Sequence, residues 1–296
     1  MNVRLATLTD ADVAAERERF PGAFGRPIGE RAKSWLSWGG GAALTIYCLY
    51  RFGFFSGDFL HGASKFGQLV VSQLFPPTGY EHLPLFIKVI GETIAMAFLG
   101  TLLGAVFAFP LSFLASKNIT RSRPVQFGTR RFADLLRSFD YLIWALIFVR
   151  AIGLGPLAGI MAIAIVETGT FIKLYSEAIE NLDRKQVDGV TAAGGNWFHR
   201  IGFGVLPQVL PMMLSNTLYM FEHNVRSASI LGIVGAGGIG FLLADRLRAY
   251  ELQEACLIII LVVLTVYAID YLSRLLRERL IGDQGRREPI DDAKQV

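Results

Sequence analysis

The residues best suited to chemistry in this chain stand inside apolar surroundings. Glu222, His223, Arg226 and Ser227 lie close together within one long apolar run. A charge turned toward lipid costs several kcal/mol, so charged residues at such positions are functional candidates by default. His223 and Arg226 are three apart and share a helix face, with Glu222 beside them. A guanidinium there suits an oxyanion with phosphate-like oxygens, to which it can form paired hydrogen bonds. Alternatively, Glu222 and Arg226, four apart, pair with each other as a structural link. Glu92, Asp140 and Glu167 are the other charges embedded in apolar runs, and the sequence assigns them no role.

A second group of residues lies outside the apolar runs. Residues 177–207 open with a helical, mixed-charge composition that should stand in water. Gly194-Gly195 breaks that helix, and Asn196 is well placed to cap a new one. Trp197, Phe198 and Ile201 then form an apolar face before Pro207 opens the next apolar run. Such a face needs a partner or a membrane surface to cover it.

A third group is the run Gly235-Ala236-Gly237-Gly238-Ile239-Gly240, which fits G-x-G-x-x-G. That pattern signals a dinucleotide site only between a strand and a helix of a βαβ unit. Here it follows an apolar run, so nucleotide binding is rejected. The glycines Gly235, Gly237, Gly238 and Gly240 instead suit an irregular, re-entrant or gating backbone, tolerated where it lines a cavity or is covered by protein. No phosphate-binding loop G-x-x-x-x-G-K-[ST] occurs in the sequence. Cys48 and Cys256 sit in separate apolar runs and the four histidines are scattered, so neither a disulfide nor a metal site is expected.

The elements that must carry these residues follow from composition. Hydrophobic residues make up 52% of the chain and charged ones only 18%, well below the ~25% of soluble chains. The apolar residues are bunched, and several runs reach the ~20 residues a helix needs to cross a bilayer. Six spans are expected: Trp35–Phe54, Phe86–Leu114 with a kink at Pro110, Leu135–Ile152, Leu154–Tyr175, Gln208–Leu231 and Ala255–Leu272. Residues 55–85, with Pro76-Pro77, read as an external loop on the membrane surface. The polar residues 1–34 do not resemble a cleavable signal, so the first span is expected to stay as an anchor.

Lys and Arg set the orientation, because cytoplasmic loops accumulate them. Segments 1–34, 116–137, 173–200 and 274–296 hold six, six, four and six of the 29, leaving seven elsewhere. Both termini and the 177–207 loop are therefore expected in the cytoplasm. The net charge of +4 follows from this bias and from contact with anionic lipid, not from nucleic-acid binding.

The 177–207 loop resembles the cytoplasmic signature of permeases of binding-protein-dependent ABC importers. That signature reads Glu-Ala-Ala, three residues, Gly, and a fixed gap to Leu-Pro. Gly194 and Pro207 have that gap, with Leu206 before the proline, whereas Asp188 replaces the glutamate and Gly189 and Val190 the alanines. The resemblance implies short coupling helices that dock a separate ATPase through Asp188, Gly189, Gly194, Asn196, Trp197 and Phe198, with the contact centred on Gly194–Phe198. Stretches 136–156 and 225–240 are similar to phosphonate importer permeases, and the likeness runs from about Glu92 to the end of the sixth span.

The resemblance implies an all-α, polytopic, type I importer-like permease core at 86–273 with one extra N-terminal span at 35–54 and a cytoplasmic tail at 274–296. It further implies a bacterial inner-membrane location and pairing with a second copy or a paralogous permease. Two ATPase subunits would use ATP and Mg, and an external binding protein would deliver the cargo. That cargo would be a phosphonate, phosphite, hypophosphite or phosphate, or in an alternative reading another small solute. The chain itself would hold no catalytic residue, cofactor or metal. A stand-alone secondary transporter would be expected to show internal repeats or a proton relay, and no clear repeat is visible. A membrane enzyme would need a nucleophile–base pair, and none stands out.

Overall fold

The structure is a computed structural model that describes residues 28–54, 57–120 and 122–282. The expectations for residues 1–27 and 283–296, including the cytoplasmic placement of both termini, lie outside the described residues. The chain divides into two compact units at Val71.

The first unit holds α1 (Ile28–Arg51) and α2 (Gly57–Gln68). Trp35, Trp38, Tyr47 and Tyr50 are all exposed on α1. The second unit holds α3 (Leu83–Ala115), α4 (Arg123–Leu136), α5 (Tyr141–Ile152), α6 (Pro156–Glu180) and α7 (Arg184–Ala192). It continues through α8 (Leu206–Leu231), α9 (Ile239–Arg248) and α10 (Leu252–Gly282). Every described element is helical, in keeping with the expected all-α class.

Of the six expected spans, four are found among the described residues. Among the described residues, four helices are long and apolar enough to cross a membrane: Tyr80–Ala115, Pro156–Glu180, Trp197–Val234 and Leu252–Glu278. The third expected span, Leu135–Ile152, is in fact divided. α4 ends at Leu136, and Asp140 caps α5 by accepting from the Tyr141 amide at 2.8 Å. At 12 residues α5 rises only about 18 Å, short of a ~30 Å hydrocarbon core. The first expected span, Trp35–Phe54, begins in α1 and runs past its end at Arg51; Gly39-Gly40-Gly41, serine and tyrosine dilute its apolar run, and it is not among the four. α3 runs without interruption through Pro110.

Small residues let the central helices approach closely, as membrane helix packing requires. Gly100 and Gly104 form a G-x-x-x-G stripe on α3. A Cβ at Gly100 would lie 2.7 Å from Ile163 Cβ, and one at Gly104 2.6 Å from Glu167 Cβ. On the far side of α6, a Cβ at Gly169 would meet the Ala133 carbonyl of α4 at 2.6 Å. α6 is thus gripped between α3 and α4 and carries many of the buried residues, including Ile163, Phe171, Ile172 and Ile179.

Among the described residues the core has three apolar clusters along the helices. One holds Ala108, Phe171, Ile179 and Val209; a second holds Ala97, Ile163, Val225 and Ala236. The third packs Phe86, Ile239 and Ile258. Between the first two lies a buried polar layer of Thr101, Glu167 and Asn224.

Candidate coupling surface and intramembrane polar groups

The expected 177–207 loop opens with the last turn of α6 and closes on the first residues of α8, and the 181–205 stretch between those helices is built from local rules. Asp183 caps α7, accepting from the Lys185 amide at 3.0 Å. After α7 the chain turns at Gly194, whose φ of +79° is a left-handed conformation that glycine adopts without strain. The Gly194 and Gly195 amides, each at 3.0 Å, close the turn on the carbonyls of Thr191 and Val190. Asn196 caps the following turn, Trp197–His199, by accepting from the His199 amide at 3.1 Å. A π-helical turn, Arg200–Val205, leads into α8, where Leu206 and Pro207 occupy the first positions.

The loop is stapled at its base. Gln208 Oε1 accepts from the Asp183 amide at 3.2 Å, while its Nε2 donates to the carbonyls of Asp183 at 3.2 Å and Gly204 at 2.6 Å. Gly204 is buried against α7, where a Cβ would lie 3.1 Å from Val187 Cα. The corner after α3 holds the other side. Asn118 Nδ2 donates to the carbonyls of Ile179 and Glu180, and Arg130 joins the Glu180 carboxylate to the Ala115 carbonyl. The sequence reading missed Gln208, Asn118, Arg130 and Glu180, which act by reaching backbone or partners that only the fold brings near.

What the staples support is an exposed surface. Asp188, Gly189, Gly194 and Asn196 are exposed, Trp197 is 51% exposed and Phe198 75%. The Trp197 and Phe198 rings meet edge to face at 5.0 Å. Leu206 is half-buried at the base of α8 rather than on this surface.

The intramembrane candidates do not form one cluster. Glu222 accepts from Arg277 of α10 at 3.2 Å, and Arg226 lies 3.7 Å from Asp270 of the same helix. The two therefore do not pair with each other, because α10 offers each an opposite charge across the helix interface. His223 instead faces α5, its ring 6.2 Å from that of Tyr141. Ser227 Oγ donates to the His223 carbonyl at 3.3 Å.

Glu167 has a different setting. It is fully buried, and Tyr141 donates its hydroxyl to Oε1 at 2.7 Å. Asn224, also fully buried, donates to Thr101 Oγ1 at 2.9 Å. This layer joins α3, α5, α6 and α8. Glu92 is exposed on α3.

The glycine-rich segment folds back on the bundle. Gly235, Gly237 and Gly238 all have positive φ, and the Ile239 amide donates to Thr93 Oγ1 of α3 at 2.8 Å. A Cβ at Gly240 would collide with the Ser229 carbonyl at 1.9 Å. The irregular backbone is thus covered by protein.

Residues 100–282 match the family of binding-protein-dependent transport system inner membrane components. The chain belongs to this family of importer permeases. The permease is 35% identical over 222 residues to the phosphite transport system permease protein PtxC of Stutzerimonas stutzeri, covering 74% of this chain and 79% of that one. It is 37% identical over 190 residues to the phosphate-import permease protein PhnE of Mycolicibacterium smegmatis, covering 64% of this chain and 36% of the other. Among solved structures, its fold is similar to the inward-facing MetNI methionine ABC transporter, with a TM-score of 0.60 at 19% identity, covering 69% of this chain and 99% of that one. It also resembles an amino acid ABC transporter, with a TM-score of 0.57 at 16% identity, over 68% of this chain and 96% of the other. The permease is an all-α, multi-pass inner-membrane subunit of an ABC importer, and ATP hydrolysis belongs to a separate subunit.

Proposed function

We propose that this permease forms half of the translocation path for a phosphorus oxyanion of the phosphite, phosphonate or phosphate class. A binding protein delivers the anion from outside. The 181–205 loop faces the cytoplasm and docks an ATPase, whose closure rocks α6 and α8 and alternates access to the path. The observation that carries this reading is the stapled loop: it is held rigid from below by Gln208 and Asn118 while Trp197 and Phe198 stay exposed. The relatives' names supply the cargo class.

A second copy of the chain, or a paralogous permease, completes the path in this account. The core 86–273 carries it, both termini lie in the cytoplasm, and α1 is an additional anchor. Asp188, Gly189, Gly194, Asn196, Trp197 and Phe198 form the docking surface, with Leu206 and Pro207 fixing where α8 begins. Arg226 attracts the anion from its place beside Asp270, its side chain still 56% exposed, and Glu222, His223 and Ser227 accompany it. Gly235, Gly237, Gly238 and Gly240 serve as the gating segment.

Uptake by vesicles containing the permease, its ATPase and binding protein tests the cargo, with phosphonate, phosphite and phosphate compared directly. At least one of the three should accumulate in an ATP-dependent manner. Arg226→Gln should lower that uptake several-fold while leaving assembly intact, and unchanged uptake would remove Arg226 from the path.

A further inference from the structure

Two cavities adjoin at the coupling end of the bundle, and their chemistry is opposite. One, of about 330 Å³, is lined by the cations Lys117, Arg184 and Arg200 together with the carboxylate of Asp188. The other, of about 540 Å³, is an apolar groove lined by Phe109, Phe113, Leu114 and Phe198. Ile119, Trp197 and Ile201 form a wall common to both.

Their order along the membrane normal is set by α3. The groove runs beside the last turns of that helix, within a segment apolar enough to span the bilayer. The basic basin opens beyond Ala115, where α3 has ended, and beside the start of α7. The side along the last turns of α3 is therefore apolar and the side beyond its end is cationic. Trp197 stands at the boundary, where indole rings favour the headgroup region.

The basin's positive charge is not neutralised from within. Among the described residues, Lys117, Arg184 and Arg200 have no ion pair. Arg184 donates only to the neutral Asn118 Oδ1 at 3.2 Å, and Arg200 Nε is buried without a partner. A buried guanidinium nitrogen without an acceptor is costly. Asp188 offsets one of the three charges at most.

We propose that this double cavity holds one anionic phospholipid, its phosphate in the basic basin and an acyl chain in the apolar groove. The three cations suit the phosphate. A free phosphate would leave the adjoining apolar groove uncovered. Because Trp197, Arg184 and Arg200 belong to the coupling loop, the lipid braces that loop against the α3 corner. The inference rests on the membrane-embedded permease and is independent of the cargo.

The test uses the permease co-purified with its ATPase in phosphatidylcholine nanodiscs with graded phosphatidylglycerol. The readouts are lipid retention by native mass spectrometry and the thermal midpoint of the complex. One phosphatidylglycerol per permease chain should be retained and the midpoint should rise. The double variant Arg184→Gln/Arg200→Gln should retain it about 30-fold less, taking roughly 1 kcal/mol for each cation. Circular dichroism and gel filtration establish that the variant is folded, and Lys117→Gln alone gives a second, milder loss.

Neither inorganic phosphate nor dibutyryl phosphatidylglycerol should displace the retained lipid. Displacement by inorganic phosphate would show a headgroup-only anion site and overturn the proposal. So would equal retention by wild type and double variant, or a disulfide between copies of Phe113→Cys showing that a second permease fills the groove.

Discussion

At the residue scale, Glu167 shows how a membrane protein keeps a carboxyl group away from lipid. It is fully buried, receives the Tyr141 hydroxyl, and lies against Gly104 of α3. The sequence marked it as an intramembrane charge, but its partners come from helices far away in the chain and could not be read from spacing. Tyr141→Phe should remove the hydrogen bond that Oε1 receives from the Tyr141 hydroxyl and lower stability by about 1–3 kcal/mol. Thermal unfolding in detergent should register the loss, and an unchanged midpoint would mean that the polar layer adds nothing to stability. Glu222 and Arg226 teach a related lesson. Their spacing predicted mutual pairing as readily as a path, yet each finds its counter-charge on α10. Helical spacing names the residues that can meet within a helix, and tertiary packing decides between them and a neighbour.

At the element scale, the coupling loop was largely legible, because caps and glycine turns obey local rules. Asn196 caps its turn and Gly194 adopts the left-handed conformation. The division of Leu135–Ile152 was not legible, since hydropathy averages across a four-residue break. The cap at Asp140 and the mixed-charge helix α4 were the available signals. Close packing of α3 on α6 gives a sharp comparison. Gly104→Ala should destabilise the permease by about 1–3 kcal/mol, because the new methyl group meets the Glu167 Cβ. Gly91→Ala, on the same helix with nothing within 4 Å, should be neutral or stabilising by up to about 1 kcal/mol. Equal midpoints for the two variants would contradict the tight α3–α6 contact. Gln208→Leu should release the base of the loop and raise amide exchange across 183–204, while exchange as slow as in the wild type would mean that Gln208 is not the staple.

At the scale of the whole molecule, composition and charge bias sufficed for a polytopic membrane protein, and the Gly194-to-Pro207 gap pointed to an importer permease. The number of spans was less legible: among the described residues four helices are long and apolar enough to cross, and α5 is short. The central claim is that the 181–205 loop passes ATPase motion to the membrane helices. The most direct measurement is ATP-driven uptake, with ATPase co-purification measured in parallel, for the Trp197→Ala/Phe198→Ala permease. Both rings are exposed, so the variant should fold and insert normally. If they anchor the dock, affinity for the ATPase should fall by about 30-fold or more and uptake should fall with it. Wild-type co-purification and wild-type uptake in that variant would contradict the account.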